Sequence, residues 1–293
     1  MKCSVLITVF NCWPLALKAI DSHLKYGNDF IEEIIVIDDC STENVPAILP
    51  DKVRLIRNSV NLGYVKSVNI GFKAAKSPIV LLFDADAIPL VDYGEQIKHV
   101  FTTDETIGAI GFRTVDEFDN ATGISDPEPN KFSLLFGQKI DHKFLWLWRL
   151  VTKRITIYSC AIVLRKTAIE SVNGFDENFD FLDADNDFCM RLTRAGWVLK
   201  IDPLLKAFHN GGGSPQLTSK RVLRFYINRH RLLVKHNKWD ANARFSKLVV
   251  LARLQMEYLI LKNFGTFLFK DKVANMDKVT GRKKIIDYVR LNY

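Results

Sequence analysis

The chain has 293 residues, 48% hydrophobic and 25% charged, which excludes a disordered or fibrous chain and allows one large domain, or one domain with an appendage. Its net charge is +8, with 41 Lys and Arg against 33 Asp and Glu; the excess gathers after Lys220, pointing to an anionic partner or a solvated helix face. Five scattered cysteines without a Cys-x-x-Cys pair argue against a disulfide framework or a zinc cluster and fit a reducing cytosol.

Cys3–Phe10 is a short apolar run with no small-residue cleavage site after it, so a buried first strand is expected rather than a signal peptide. Pro14–Tyr26 has helical spacing, with Leu17, Ile20 and Leu24 on one face. Strands are expected at Glu33–Ile37, Val53–Ile56 and Ile79–Phe83, with a helix at Val65–Lys76. Strands alternating with helices imply parallel βαβ units, and continuously apolar strands imply a sheet covered on both faces.

Ile107–Phe112 reads as another strand, and Arg113–Lys131, rich in Asp, Asn, Gly and Pro, as a loop. Phe132–Val151 is rich in large apolar residues. Within it Phe144, Trp146 and Trp148 would share a face as a strand and scatter as a helix. They are candidates for stacking on a ligand, for a core or for an oligomer contact. Ile155–Leu164 is expected as one strand, and Thr167–Val172 as a short helix stopped by Asn173-Gly174. Asp187–Ala195 is expected as a helix stopped by Gly196, Trp197–Ile201 and Leu204–Phe208 as short strands, and Gly211-Gly212-Gly213 as a flexible loop. After Pro215 the chain reads as basic and helical, with Phe245, Leu248, Val249, Ala252, Met256, Leu259 and Ile260 on one face. No run reaches the ~20 apolar residues of a membrane span.

Acidic clusters follow several of the apolar runs. A buried strand that ends in carboxylates carries charge to the edge where open α/β sheets bind ligands. Asp84-Ala85-Asp86 closes the Ile79–Phe83 run and can hold a hard divalent cation with positions left open for phosphate oxygens. His209, at the end of Leu204–Phe208, is the candidate third ligand, and an imidazole favours Mn²⁺ over Mg²⁺. Asp38-Asp39 follows the second strand. There a carboxylate can accept a base imide N–H or a ribose hydroxyl, or serve as a turn residue. Among Asp183, Asp185 and Asp187, Asp187 is expected to cap the helix, leaving Asp185 to take a proton from an acceptor hydroxyl.

Together these segments, over roughly Lys2 to Ser214, resemble the inverting glycosyltransferases of family 2, which have the GT-A fold. Val5-Leu6-Ile7-Thr8-Val9-Phe10-Asn11 is similar to the family's first strand, and Asp38-Asp39-Cys40-Ser41-Thr42 to its Asp-Asp-Gly-Ser-Thr turn, with Cys40 in place of Gly. Asn61-Leu62-Gly63 and Asn69-Ile70-Gly71 match its second nucleotide-side segment, and Asp84-Ala85-Asp86 its metal motif. Asn173-Gly174-Phe175-Asp176-Glu177 resembles its Gly-Gly-Phe-Asp-Glu segment. Ala184-Asp185-Asn186-Asp187 aligns with its Glu-Asp-x-Asp, with Ala184 in place of Glu, and His209 and Ser214 match its His-containing loop.

The resemblance implies an α/β GT-A fold: a Rossmann-like nucleotide-binding half and an acceptor half around one mixed, mostly parallel sheet, with a helical C-terminal extension. The expected boundaries are a catalytic domain at 1–215, divided into a nucleotide-sugar half (1–112) and an acceptor half (113–215), and a basic helical region at 216–293. It implies transfer of a sugar from a UDP- or dTDP-sugar to a hydroxyl of a glycan or lipid-linked acceptor. Thr8, Phe10, Asn11, Asp39, Asn61, Gly63, Asn69 and Asp84 would bind the nucleotide. Asp84, Asp86 and His209 would hold Mn²⁺ or Mg²⁺, and Asp185 would be the base, with Asp183 as its alternative. A cytoplasmic enzyme is expected, with peripheral attachment to an anionic membrane face through the C-terminal helices and a homo-oligomer both open. Rival classes are a catalytically silent nucleotide-sugar-binding protein, a nucleic-acid binder and a nucleotidyltransferase. The second is disfavoured because the acidic cleft repels phosphate without a metal and no recognition motif is present. The third is disfavoured because no N-terminal Gly-rich phosphate loop is present.

Overall fold

The run Cys3–Val9 forms β1, which lies inside an eight-stranded sheet of order β3-β2-β1-β4-β9-β6-β10-β5. The computed structural model describes the chain except residues 124, 145–146, 148, 151, 153, 211–217, 240–242 and 269–270. The described residues cluster as two units. One comprises Met1–Glu128 with Arg154–Gly213, the other Pro129–Lys153 with Ser214–Tyr293.

In the first unit β2 (Ile31–Asp38), β3 (Val53–Arg57) and β4 (Ile79–Asp84) run parallel to β1, linked by α1 (Trp13–Gly27) and α2 (Tyr64–Ala74). β6 (Ile107–Val115) and β10 (Val198–Phe208) are parallel to each other, and β9 (Ala161–Arg165) runs antiparallel between β4 and β6. The edge strand β5 (Ile88–Pro89) is antiparallel to β10. The sheet is thus mixed and mostly parallel. β1, β2, β4 and β10 all point their carboxyl ends to one edge, and β9, running the other way, starts there. Val5, Ile7, Ile34, Val36, Leu81 and Phe83 are buried in the core. Leu6, Ile35 and Leu82, which alternate with them, are buried as well. Coverage of both faces is the physical reason these strands are continuously apolar.

Several expected boundaries are corrected. The segment Ile155–Leu164 is not one strand. β8 (Ile155–Ile157) pairs with β7 (Ser125–Pro127) in a separate two-stranded sheet, a turn follows through Ser159-Cys160, and β9 starts at Ala161. Local apolarity hides this break, because it is partner choice that separates the two strands. The expected loop Arg113–Lys131 contains β7 and the last residues of β6, which persist because β10 pairs as far as Val115. The two short strands expected at Trp197–Ile201 and Leu204–Phe208 are one strand whose register shifts between Asp202 and Lys206, at Pro203.

α3 (Gly94–Thr103) lies between β5 and β6, and α6 (Lys166–Ser171) follows β9. α7 (Ala184–Arg194) begins three residues before the expected start. Asp187 therefore does not cap it. It is fully buried inside the helix and pairs with Arg191 at 2.7 Å, whose guanidinium also donates to the carbonyls of Val172 and Gly174.

The second unit contains α4 (Phe132–Phe136), α5 (Gln138–Lys143), α8 (Thr218–Lys235), α9 (Ala243–Leu268) and α10 (Lys272–Asn292). Phe144 terminates a helix, so the strand option for the aromatic stripe fails there; Trp146 and Trp148 lie outside the described residues. Arg253 ties the unit together. Its guanidinium donates to the carbonyls of Leu134 and Leu135, to the Tyr226 hydroxyl at 2.6 Å and to Glu257. Asp271 caps α10 by accepting from the N–H groups of Val273 and Ala274. α9 and α10 run antiparallel, since Lys247 donates to the Arg290 carbonyl near one end and Gly265 abuts Asn275 near the other.

Candidate active site

Asp84 ends β4, and the N–H of Ala87 bonds back to its carbonyl, turning the chain so that Asp86 faces the same edge. β10 ends at Phe208, and the N–H of His209 bonds to the carbonyl of Val115, the last residue of β6. Asp84, Asp86 and His209 each offer a ligand atom, all within 4.8 Å of one another. His209 Nε2 lies 3.6 Å from Asp86 Oδ1. Burial and then the Asp86 charge push the Asp84 carboxyl up to about 6, offset by His209 and by a hydrogen bond with Tyr64. Two carboxylates and an imidazole, crowded so that one acid resists ionisation, fit a bound divalent cation. The mixed donor set suits Mn²⁺ better than Mg²⁺.

Asp185 enters from the first turn of α7, after Asp183 in a left-handed conformation (φ 64°). Burial and then the Asp183 charge raise its carboxyl to about 7, against the lowering effect of the Asn186 and Ser159 backbone. Cys160 feels the charges of Asp84, Asp185 and Asp86. The turn between β8 and β9 is therefore common ground for the cation cluster and the candidate base. A carboxyl group poised near neutral pH suits a general base.

The nucleotide-side residues gather at the same edge, yet four of them hold loops in place. Asn11 (φ 54°) uses its Oδ1 to accept from the N–H and hydroxyl of Thr42, at 2.7 and 3.1 Å, and from the N–H of Glu43. Asp39 accepts from Asn58 and from the Leu62 N–H on one oxygen, and from the Gly63 N–H on the other, each at 2.8 Å. Asn61 reaches the Asp39 carbonyl at 3.3 Å. Asn69, expected to touch the nucleotide, braces the segment that follows α6. Its carboxamide accepts from the Phe175 N–H and donates to the Phe175 carbonyl, both at 2.9 Å, and donates to Glu177. Gly174 (φ 66°) has to be glycine, since a Cβ there would stand 2.6 Å from Asn69 Oδ1. Thr8 is half-buried beside Asp84 in the β1–β4 register, and Phe10 stays 49% exposed at the sheet edge. Cys40, standing where the resembled motif has Gly, takes φ 65°. That left-handed geometry is what makes glycine the usual choice at such a turn.

Two contributors carried no sequence signal. Tyr64 opens α2 and places its hydroxyl 2.9 Å from Ser159 Oγ. Neither residue stands in an acidic cluster, and only the register that brings β9 beside β4 unites them. The match to Ser214 and the glycines 211–213 lies outside the described residues.

The model of the family "Glycosyl transferase family 2" matches residues 4–171. An uncharacterised glycosyltransferase of Nostoc sp. is 32% identical over 117 residues, 38% of this chain and 36% of that protein. The pre-mycofactocin glycosyltransferase of Mycobacterium tuberculosis is 26% identical over 185 residues, 60% of this chain and 37% of that protein. The chain thus spans just over a third of the length of these curated relatives. Among solved structures, a mannosyltransferase from Pyrobaculum calidifontis in complex with GDP-Man and Mn²⁺ superposes with a TM-score of 0.56 at 16% identity, covering 97% of this chain and 85% of that one. S. aureus TarS residues 1–349 with UDP-GlcNAc gives 0.56 at 16% identity, covering 99% and 92%. At such identity these likenesses speak for the shared GT-A fold.

Proposed function

The chain belongs to glycosyl transferase family 2, and from that premise we propose that it moves a sugar from a UDP- or dTDP-sugar to a hydroxyl of a glycan or lipid-linked acceptor, with inversion at the anomeric carbon. The observation that carries this reading is the pairing of a carboxyl held near pH 7, Asp185, with a cation-sized cluster of Asp84, Asp86 and His209.

The donor lies along the carboxyl edge of the sheet, its base beside Phe10 and Asp39 and its ribose near Thr8 and Asp84. An ionised carboxylate has about four lone-pair sites. Asp39 fills three of them with loop donors, and the second site on Oδ2 remains for a base imide N–H. That chemistry suits a base that presents a ring N–H, as uracil and thymine do. Asp84, Asp86 and His209 would hold a divalent ion, whose charge would neutralise the departing diphosphate. Asp185 takes the proton of the incoming hydroxyl as its oxygen attacks the anomeric carbon opposite the diphosphate, which leaves in the same displacement. Base catalysis of this kind contributes ~10²–10⁴-fold.

The second unit supplies a surface for the acceptor's carrier. Along α9 the residues Phe245, Leu248, Met256, Leu259 and Phe267 are exposed, and among the described residues the buried positions are Ser246, Val250, Leu254 and Gly265. The single acid of α9, Glu257, is tied to Arg253 and Arg282. An apolar face flanked by Arg244 and Lys262, without an exposed acid on the same helix, fits the interface of an anionic bilayer. A second copy of the chain would bring the same positive charge.

A donor screen tests the reading. Nucleotide release is followed with UDP-, dTDP- and GDP-sugars, in Mn²⁺ or with chelator. Release from a uridine or thymidine donor that stops on chelation is expected. Release undiminished by chelator removes the metal from the reading, and tight nucleotide binding without release from any donor favours a silent binding protein.

A further inference from the structure

The candidate base and the cation cluster lie on different elements, α7 on one side and β4 with β10 on the other. What joins them is a pair of side chains 95 residues apart in sequence. The Tyr64 hydroxyl and Ser159 Oγ are hydrogen-bonded at 2.9 Å, and Tyr64 is also a hydrogen-bond partner of the Asp84 carboxylate. The backbone of Ser159 in turn acts on the Asp185 carboxylate, lowering its pKa against the effect of burial. The next residue, Cys160, accepts from the Asp84 N–H with its carbonyl at 2.9 Å. One turn thus touches Asp84 through its backbone, Asp185 through its backbone and Tyr64 through its side chain.

Tyr64 is itself fixed from the nucleotide end. Gly63 precedes it in a left-handed conformation (φ 85°), with its N–H held by Asp39. The Tyr64 ring packs 6.5 Å from the ring of Phe175, in the segment braced by Asn69. A phenylalanine would fill the same space, so the hydroxyl is what needs a reason. A phenol has one proton and two lone pairs. It can stand between a carboxylate and a serine hydroxyl, donating to one and accepting from the other. Burial and the Asp84 charge hold it far above its ordinary pKa, so it remains a donor throughout the working range.

We propose that Tyr64 and Ser159 are positioning residues that couple the cation ligand Asp84 to the general base Asp185 through the β8–β9 turn. This rests on the roles given above to Asp84 and Asp185. The bridge sets the orientation of the Asp84 carboxylate toward a cation and, through the Ser159 backbone, the aim of Asp185 toward the acceptor. Partners that orient metal-binding carboxylates typically change metal affinity or activity 10–100-fold.

The test is a double-mutant cycle of Tyr64→Phe and Ser159→Ala, read first as Mn²⁺ affinity by calorimetry and second as steady-state kinetics. Tyr64→Phe is expected to weaken Mn²⁺ binding about tenfold and Ser159→Ala several-fold, although Ser159 does not touch the cation cluster with its side chain. The double variant should be no worse than Tyr64→Phe, because both changes break one bridge. In kinetics kcat should fall ~10-fold or more while the donor KM stays within about twofold. Unchanged Mn²⁺ affinity in Ser159→Ala, or a double variant whose loss is the product of the single losses, overturns the bridge. A wild type that binds Mn²⁺ and shows the coupling yet turns over no donor upholds the bridge and overturns the proposed activity. A wild type that binds no Mn²⁺ overturns the bridge, and the donor screen decides the activity separately.

Discussion

Asp183 stands two residues before Asp185, and after burial its charge is the largest influence holding the Asp185 carboxyl up at about 7. The pair assigns different work to two neighbouring acids. Asp183 accepts from the Asn186 side chain at 2.6 Å within the first turn of α7, whereas Asp185 is the acid that reaches the Ser159 turn. Because the base must be ionised, kcat should rise about tenfold per pH unit below 7 and level off above it. Asp183→Asn removes the like charge, so the acid limb should move to lower pH with transfer retained. Asp185→Asn should keep nucleotide binding and lose transfer by at least ~10²-fold. Rate profiles from pH 5 to 9 on the three proteins decide it. If Asp183→Asn is the dead variant and Asp185→Asn turns over normally, the base is Asp183.

Asn69 separates a nucleotide contact from a strut. Its carboxamide satisfies both backbone groups of Phe175. Asn69→Ala should therefore leave a buried N–H and C=O without partners and destabilise the protein by ~1–3 kcal/mol. Nucleotide affinity should stay within about twofold. Thermal unfolding and nucleotide titration check the two halves. A large loss of affinity at unchanged stability would return Asn69 to the nucleotide site.

That case marks where the sequence was legible and where it was not. The strands β1, β2 and β4 announce themselves, because burial on both faces demands unbroken apolar runs, and the acids at their ends follow from the same logic. His209 was foreseeable at the end of an apolar run, although β10 proved to be a single strand. What stayed hidden depends on contacts between distant segments. No local pattern says that Asn69 will meet Phe175, that Tyr64 will meet Ser159, or that an apolar stretch at 155–164 will divide between two sheets. Asp187 misled for a related reason. An acid near a helix start looks like a cap, but here the helix begins earlier and the acid meets Arg191 one turn on.

The face of α9 makes a prediction about lipid. Flotation with vesicles containing anionic phospholipid should carry the protein upward at low salt, less so at 0.5 M salt, and not with neutral vesicles. Leu248→Glu with Leu259→Glu, both at exposed positions, should abolish flotation without lowering the unfolding temperature. Light scattering that shows a dimer dispersed by the same two substitutions, with no flotation at any salt, would assign the face to a second copy of the chain instead.

His23 predicts an acid weakness away from the site. It lies fully buried in α1, edge-on to Phe83 at 4.5 Å, with Nδ1 2.9 Å from the Tyr93 hydroxyl. Its Nε2 has no hydrogen-bond partner among the described residues. Burial lowers its pKa from 6.5 to about 3. The unfolded chain therefore binds a proton before the folded one does. The stability that His23 contributes as a neutral ring is complete above pH 6.5 and is lost as pH falls toward 3. Between pH 7 and 4.5 this linkage amounts to ~2–3 kcal/mol. His23→Gln keeps a polar atom for Tyr93 but cannot titrate, so it should be less stable than wild type at pH 7 and lose less on acidification. Urea midpoints of both proteins at pH 7 and 4.5 measure the difference. An identical gap between the two proteins at both pH values would mean that His23 takes no part in the acid response.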